Sequence, residues 1–165
     1  MPAQLHWLDG PWTGKLALEA RPRGADWLDD ALEQWKRAGV DEVVSLLTSE
    51  EEEDLGLLAE AEKTRMQGME FTSLPIRDRQ VPESEAKLGE TLARISRQLS
   101  AGRNLLLHCR QGVGRTGLVA ACLLIKNGMS PGAAVEAVSA ARGITIPETP
   151  EQRDFIDRYA PAFSK

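Results

Sequence analysis

The sequence predicts an α/β fold in one domain, with a mostly parallel central sheet of about five strands flanked by helices. Short apolar runs alternate with amphipathic segments along the chain, and this alternation is typical of layered α/β domains. No internal repeat or long linker interrupts the order. The 165 residues lie within the usual size of one domain, so we expect a single domain over residues 1–165.

The first elements predict an edge of the sheet followed by a helix and a buried strand. Two early strand-like pieces, Leu5–Leu8 and Leu16–Glu19, are the predicted edge. A segment with helical spacing of apolar residues then follows Asp26, which is placed to cap the helix, while Gly39 is placed to end it. Directly afterwards, the β-branched and apolar run Glu42–Leu47 predicts a buried strand.

The next helix is predicted to begin at the acidic run Glu50–Asp54, because carboxylates in a first turn favour the positive end of the helix dipole. We interpret this run as a solvated helix start and not as a metal site. Its expected core side consists of Leu55, Leu58 and Met66. Gly68 is placed to end the helix before a strand at Glu70–Ile76.

The second half of the chain continues the alternation. Ser84 can cap a helix whose apolar residues recur at every third or fourth position, and Asn104–His108 is the next predicted buried strand. Leu118–Ile125 is apolar enough for a central helix packed on several sides. Two terminal helices each begin with a capping residue followed by proline, at Ser130 and at Thr149.

Charge and composition exclude several classes of protein. Apolar residues make up 42% of the chain, which is typical of a globular domain and not of a disordered one. The net charge of -5 argues against nucleic-acid binding, which needs a basic face. No run approaches the roughly 20 apolar residues of a membrane-spanning helix, and the first residues, MPAQLHWLDGPW, lack the features of a signal peptide. We therefore expect a cytoplasmic protein that binds neither nucleic acid nor membrane, with a monomer as the default.

The two cysteines, Cys109 and Cys122, do not resemble metal ligands or a disulfide. Neither stands in a Cys-x-x-Cys pair or close to a group of histidines, so no metal site is predicted. A helix that opens near Arg115 would carry Cys122 roughly 10 Å from the preceding loop, beyond the roughly 7 Å that a disulfide spans. We therefore predict that Cys122 is a core residue and that the two thiols are not linked.

The stretch His108–Gly117, HCRQGVGRTG, matches two phosphate-binding motifs. Its three glycines spell the G-x-G-x-x-G fingerprint of dinucleotide sites, while Cys109 and Arg115 have the Cys-x5-Arg spacing of cysteine-dependent phosphatases. A dinucleotide site requires a return to a parallel strand that ends in an acidic residue, and here Ser130 begins a second helix instead. A Walker A loop would need Gly-Lys followed by Ser or Thr, which is absent. The context therefore favours the cysteine-based device.

The surroundings predicted for Cys109 suit an anion-binding nucleophile. Cys109 follows a strand and precedes a glycine-rich turn and a helix N-terminus, whose backbone N–H groups and dipole favour the thiolate over the thiol. Arg115 adds a fixed positive charge and a planar fork that suits two phosphate oxygens. Thr116 supplies a hydroxyl near the sulfur. The competing interpretation is a structural cysteine in an incidental glycine-rich turn.

These residues resemble the signature loop of the protein tyrosine phosphatase superfamily, especially its small dual-specificity branch, whose pattern is His-Cys-x5-Arg-Ser/Thr. The resemblance implies that Cys109 is the nucleophile, Arg115 the phosphate clamp and Thr116 the group that helps the thiolate leave. It also implies that backbone amides cradle the phosphate. The implied substrate-binding residues are Arg110, Gln111, Gly112, Val113, Gly114 and Arg115. Among these, Gln111 stands where alanine is common in relatives.

The resemblance further implies a general acid on a mobile loop upstream of the cysteine. Asp78, within the segment Pro75–Arg79, is the candidate. Since Asp78 stands between Arg77 and Arg79, the competing interpretation is an aspartate that only forms ion pairs with them. Arg79 and Gln80 also occupy positions where many relatives carry small residues.

Two further residues have open interpretations. Gln152 resembles a glutamine that orients water in some relatives, but Thr149-x-x-Gln152 is also a capping box, which accounts for the glutamine without chemistry. His6 is expected to be a surface or packing residue.

Together these implications predict a phosphatase, independent of metals and cofactors, that hydrolyses phosphomonoesters through a phosphocysteine intermediate. Phosphotyrosine or phosphoserine/threonine on proteins is the expected substrate class, with small phosphoesters next. Related phosphoinositide phosphatases tend to carry two lysines in the loop, whereas Arg110 and Val113 occupy those positions here, so one basic charge is matched. Two other functions remain open: a phosphate-binding module that has lost turnover, and sulfur transfer on a rhodanese-like loop, which would not need Asp78.

Overall fold

The computed structural model describes residues 4–159 and confirms the predicted α/β fold with one five-stranded, mostly parallel sheet. The strands are β1 (Trp7–Leu8), β2 (Leu16–Ala20), β3 (Glu42–Ser45), β4 (Glu70–Ser73) and β5 (Leu105–Cys109). The helices are α1 (Leu28–Arg37), α2 (Ser49–Asp54), α3 (Glu60–Met66), α4 (Glu85–Ser100), α5 (Gly114–Lys126), α6 (Pro131–Arg142) and α7 (Pro150–Arg158). Within residues 4–159, none of the helices combines the length and the apolar character needed to cross a membrane.

β5 is the central strand of the sheet, whose order is β1-β2-β5-β3-β4. β5 pairs in parallel with β2 and β3, β4 pairs in parallel with β3, and β1 runs antiparallel to β2 at the edge. The carboxyl ends of the parallel strands therefore share one edge, which is where ligand sites form in such sheets. Cys109 is the last residue of β5 and pairs with Ala20 of β2, so it lies in the middle of this edge.

Helices cover both faces of β5, which explains why its sequence is apolar without alternation. α5 packs between α4, α6 and α7 on one face, and its residues from Gly114 to Ile125 are all buried. On the other face, Leu28, Leu32 and Trp35 of α1 pack in one cluster with Leu106 of β5. This arrangement confirms the predicted central helix.

The second cysteine is a core residue, as predicted. Cys122 lies on α5, is fully buried among apolar side chains and is not linked to Cys109. Burial raises the pKa of the Cys122 thiol far above its ordinary value, because the charged form would lose its hydration. Cys122 therefore stays a neutral thiol.

The acidic segment folds differently from the prediction, as two short helices, α2 and α3, instead of one. The chain turns between them at Gly56, whose φ of 70° is a left-handed conformation that glycine adopts without steric cost. This turn resets the helical phase, so the predicted core side is wrong for two residues. Leu58 and Met66 are 68% and 77% exposed, while Leu57 is buried and Leu55 is partly buried.

The predicted start of α1 is also wrong. Asp26 does not cap the helix, because it lies inside a 3-10 turn at Ala25–Trp27 that precedes α1. The residue at the cap position of α1 is Trp27, which makes no side-chain capping bond. β3 and β4 end earlier than predicted, at Ser45 and Ser73, where the chain leaves the sheet and forms loops at its carboxyl edge.

Candidate active site

Cys109 opens a tight loop between β5 and α5 that curls around its sulfur. We keep the name signature loop for residues 109–115. The N–H of Gly112 donates to the Cys109 Sγ at 3.3 Å, so at least this amide points inward. A small pocket opens above the sulfur, and its lining residues are Asp78, Cys109, Arg110, Gln111, Gly114, Arg115 and Glu148. The structure therefore brings together Cys109, Arg115 and Asp78, which the sequence predicts as nucleophile, phosphate clamp and general acid.

The carbonyl groups of the signature loop are bonded on its outer side. The Arg110 carbonyl accepts from the backbone N–H of Arg21 at 3.3 Å. The Gln111 and Gly112 carbonyls accept from the Arg142 guanidinium, each at 3.0 Å. Because the C=O and N–H of a trans peptide point in opposite directions, the N–H groups that follow these carbonyls turn toward the pocket. An inward ring of N–H groups is the geometry that binds an anion.

Gly112 is the residue that permits this loop to lie so close to β2. Its φ is 76°, and a Cβ built at this position would lie 2.6 Å from the backbone oxygen of Glu19. Both observations exclude a side chain at this position without a backbone shift.

We expect Gly112→Ala to lower the free energy of unfolding by at least about 1 kcal/mol, since alanine is strained at positive φ and also meets the β2 backbone. The matched control is Gly132→Ala on α6, where a Cβ meets nothing within 4 Å. Urea unfolding of both variants tests this expectation. An equal stability for Gly112→Ala and the wild type would contradict the close packing of the signature loop on β2.

Arg115 is held in the pocket by the buried carboxylate of Glu51, a member of the acidic run that was predicted to be solvated. Its Nη1 and Nη2 donate to the two oxygens of Glu51 at 2.7 and 2.9 Å, a bidentate pair. Nη1 also donates to the Ile76 carbonyl at 2.8 Å, and the Arg115 side chain is only 1% exposed. Glu51 is buried at the third position of α2, where it forms a capping box with Thr48. The interpretation of the acidic run as a solvated helix start is therefore wrong for Glu51.

The ion pair keeps both partners charged. Burial on its own would raise the pKa of Glu51, but the hydrogen bonds from Arg115 and the Thr48 N–H outweigh it and hold the pKa below its ordinary value. Burial on its own would lower the pKa of Arg115. The hydrogen bonds to Glu51 and the negative charges of Cys109, Glu51 and Asp78 outweigh burial and raise that pKa. Arg115 is therefore a fixed, oriented positive charge in the lining of the pocket that holds Cys109.

Asp78 lies at the pocket rim and not in an ion pair with its sequence neighbours. One of its oxygens accepts from Arg115 Nη2 at 3.1 Å, and its side chain is 49% exposed. Arg77 instead pairs with Glu83 at 3.7 Å, and Arg79 pairs with Glu148 at 3.0 Å. The alternative in which Asp78 only neutralises Arg77 and Arg79 is thus not what the structure contains.

After Asp78, where many relatives carry small residues, this chain has Arg79 and Gln80, and both make contacts with distant parts of the chain. Arg79 has a φ of 65°, in the left-handed region where small residues are at ease, and its side chain reaches across to Glu148. The next residue, Gln80, accepts at its carbonyl from the Gln152 side chain at 3.0 Å. We call residues 75–80 the acid loop, and these two bonds tie it to the segment that leads into α7.

Gln152 is fully buried, and the structure confirms its capping box with Thr149. Its side-chain oxygen accepts from the N–H groups of Glu148 and Thr149 at 3.1 and 3.2 Å, while its amide nitrogen donates to Gln80. These bonds give it a structural role in joining the acid loop to α7. A role in positioning water stays a prediction.

The remaining predicted site residues take different positions around the loop. Thr116 is buried, and its hydroxyl has no hydrogen-bond partner among the described residues, the Cys109 sulfur included. The Nε of Arg110 lies 3.6 Å from Glu51, and Gln111 lines the pocket from an exposed position. Val113 is the residue before α5, which begins at Gly114.

A buried pair beneath the signature loop was not identified from the sequence. His108 Nε2 lies 2.7 Å from the carboxylate of Glu60, both groups being inaccessible to solvent. The other ring nitrogen, Nδ1, faces the Cys109 carbonyl at 3.4 Å. Glu60 belongs to α3, 48 positions away from His108, so no local pattern could reveal this contact.

The chain has a cysteine at the end of the central strand, a backbone cradle and a buried arginine, the arrangement expected of a phosphatase domain of the protein tyrosine phosphatase superfamily. The chain belongs to the dual-specificity group of this superfamily, because the family model described as Swiss Army Knife protein, DSP-PTPase phosphatase domain, matches residues 5–155. The resemblance inferred from the signature loop is thus confirmed.

Three known proteins extend this comparison. Cyclin-dependent kinase inhibitor 3 of Rattus norvegicus is 32% identical over 72 residues, which span 42% of this chain and 34% of that protein. The match therefore covers about a third of the relative's length. Kinase-associated phosphatase with serine at its catalytic-site cysteine has a similar structure, with a TM-score of 0.86, 24% identity and coverage of 94% of this chain and 93% of the other. Tk-PTP in its active form gives a TM-score of 0.73 at 28% identity, covering 88% of this chain and 94% of the other.

Proposed function

We propose that the protein is a metal-independent phosphatase that hydrolyses phosphomonoesters through a phosphocysteine intermediate. The observation that carries the proposal is the convergence on one small pocket of the Cys109 sulfur, an inward-turned backbone loop and the fixed guanidinium of Arg115. This arrangement stabilises negative charge on the equatorial oxygens of a phosphoryl group during transfer.

The first chemical step is attack of the Cys109 thiolate on phosphorus. The sulfur–phosphorus bond forms as the bond to the leaving oxygen breaks, and the Asp78 carboxylic acid gives that oxygen its proton. In the second step the Asp78 carboxylate takes a proton from water, which attacks phosphorus and releases inorganic phosphate and the thiolate. The Thr116 hydroxyl has no hydrogen-bond partner in the described chain, and in this step it turns to donate to the departing sulfur.

The proposed substrates are phosphotyrosine and phosphoserine/threonine in proteins, with small phosphoesters as the alternative. Glu148, which lines the pocket, forms an ion pair with Arg79 at 3.0 Å, so the positive charge of Arg79 is compensated and offers little attraction to ligands with several phosphates. Of the two loop positions that carry lysine in phosphoinositide phosphatases, only Arg110 is basic, which also disfavours such lipids.

We expect Asp78→Asn to lower kcat for an aryl phosphate by about 100-fold, because asparagine cannot protonate the leaving oxygen. The loss should be larger for an alkyl phosphate, whose leaving group needs the proton more. Steady-state turnover of both substrates measures the effect, with Asp154→Asn on the exposed side of α7 as the control. Equal turnover by Asp78→Asn and the wild type would exclude Asp78 as the acid.

The alternative of a binding module without turnover predicts a different result. Such a protein would bind a phosphopeptide at the pocket but would release no phosphate from it or from an aryl phosphate. Calorimetry with the phosphopeptide, followed by phosphate release in the same sample, separates the two functions.

A further inference from the structure

Arg142 holds the signature loop from behind, outside the pocket. As the last residue of α6, it donates from Nε to the Gly112 carbonyl and from Nη2 to the Gln111 carbonyl, both at 3.0 Å. The two carbonyls belong to consecutive peptide groups of the loop. Their N–H partners, on Gly112 and Val113, are two of the groups that turn toward the pocket.

The third nitrogen of the Arg142 guanidinium, Nη1, contacts His6 near the N-terminus. This nitrogen lies 3.2 Å from Nε2 of His6, the residue before β1. A guanidinium has only donors, so His6 Nε2 must be the acceptor and Nδ1 must carry the ring proton. Nδ1 in turn lies 3.3 Å from both carboxylate oxygens of Glu19, which also accepts from the His6 backbone N–H. A chain of hydrogen bonds therefore runs from β2 through His6 to the signature loop.

This chain of bonds selects one orientation of the loop peptides. The peptide between Gln111 and Gly112 is flanked by a glycine, the residue with the greatest backbone freedom, so a rotation that turns its N–H outward costs little by itself. Charged hydrogen bonds from Arg142 to the two carbonyls favour the orientation with both N–H groups inward. A bound oxyanion needs that same orientation, so Arg142 and the anion stabilise the same state of the loop.

We propose that Arg142 is a positioning residue, placed by His6, that orients the backbone cradle and thereby sets the affinity of the site for phosphate-like anions. This inference rests on the proposed function only in taking the pocket as an oxyanion site. Neither residue lines the pocket, and the sequence predicts His6 only as a surface or packing residue.

The experiment measures tungstate binding by calorimetry, together with KM and kcat for an aryl phosphate and the melting temperature, in six proteins. These are the wild type, Arg142→Lys, Arg142→Met, His6→Leu and His6→Gln, with Arg37→Met on the exposed face of α1 as the control. We expect the tungstate Kd and the KM of Arg142→Met to rise on the order of tenfold or more, because a change of that size corresponds to the loss of one charged hydrogen bond. Arg142→Lys, which keeps one donor for the loop, should recover part of the affinity.

The His6 variants test the second half of the proposal. Leucine removes the acceptor that places Arg142, so His6→Leu should weaken tungstate binding severalfold. Glutamine can offer an oxygen acceptor at a similar distance, so His6→Gln should keep the wild-type affinity. A lower melting temperature with unchanged tungstate Kd in His6→Leu and Arg142→Lys would overturn the proposal in favour of a purely structural role. If Arg142→Met does not fold, these two variants still decide the outcome.

The two proposals fail in distinguishable ways. A wild type that binds tungstate but releases no phosphate would refute the proposed function while leaving the Arg142 comparison intact, since the binding measurement does not depend on turnover. A wild type with normal turnover and an Arg142→Met variant with the wild-type tungstate Kd would refute the inference alone.

Discussion

Replacement of Cys109 by serine is expected to lower kcat for an aryl phosphate by about 1,000-fold or more. A serine hydroxyl is not ionised near neutral pH, so the variant lacks the anionic nucleophile that the Cys109 thiolate provides. The variant should still bind tungstate, because the backbone cradle and Arg115 remain. Stopped assays of phosphate release, run with and without a chelator, measure the loss and test the independence from metals.

The matched control for this substitution is Cys122→Ala. Cys122 is as buried as Cys109 and lies on α5 directly after the loop, but its side chain packs only in the apolar core. We expect this variant to keep turnover near the wild-type value, even if its stability falls. Similar activity losses in the two variants would mean that the Cys109 effect comes from the fold and not from lost nucleophilic chemistry.

The second large effect is expected from Glu51→Gln, which leaves the buried guanidinium of Arg115 without its bidentate partner. Removal of one member of a buried ion pair costs about 3 kcal/mol in the free energy of unfolding. Activity should also fall, since Arg115 would be free to pair more closely with Asp78, which already lies 3.1 Å away. Urea unfolding and aryl phosphate turnover measure the two losses.

The adjacent Glu50 supplies the control, because it lies on the same turn of α2 with an exposed side chain. We expect Glu50→Gln to change the free energy of unfolding by less than about 0.5 kcal/mol. A Glu51→Gln variant as stable and as active as Glu50→Gln would contradict the role assigned to the buried pair.

The Glu51 pair also predicts how stability depends on pH. The pKa of Glu51 is lower in the folded protein than its ordinary value of 4.5, because the Arg115 and Thr48 bonds outweigh burial. Its contribution is therefore complete above pH 4.5 and is lost as the pH falls through the lower folded value. The wild type should lose stability more steeply than Glu51→Gln on acidification from pH 5, and parallel curves would show that the carboxylate is not coupled to folding.

The signature loop could be predicted from the sequence because its chemistry is local. Only five residues separate Cys109 from Arg115 in the sequence. The strand before the loop and the helix after it have clear apolar patterns. Asp78 was a candidate only through the family resemblance, and its surroundings could not be foreseen. Whether Arg77 and Arg79 pair with it depends on the direction of side chains relative to Glu83 and Glu148.

The partners of the loop could not be predicted, since each comes from a distant part of the chain. Glu51 is 64 positions from Arg115, and its acidic neighbours made it look like part of a solvated helix start. His6 and Arg142 are 136 positions apart and meet only because β1 is added to the edge of the sheet beside α6. The prediction that Leu58 and Met66 face the core was wrong for another reason: the turn at Gly56 changes the helical phase.

The central claim is that phosphoryl transfer passes through the sulfur of Cys109. The direct measurement is mass spectrometry of protein quenched in acid during turnover of an aryl phosphate whose phenolate is acidic enough to leave without a proton. With that substrate, Asp78→Asn slows mainly the second step, in which Asp78 is the base. We predict a phosphoryl group on the peptide that contains Cys109, absent in Cys109→Ser and in protein without substrate. Steady phosphate release with no phosphorylated cysteine, or release that persists undiminished in Cys109→Ser, would contradict the account.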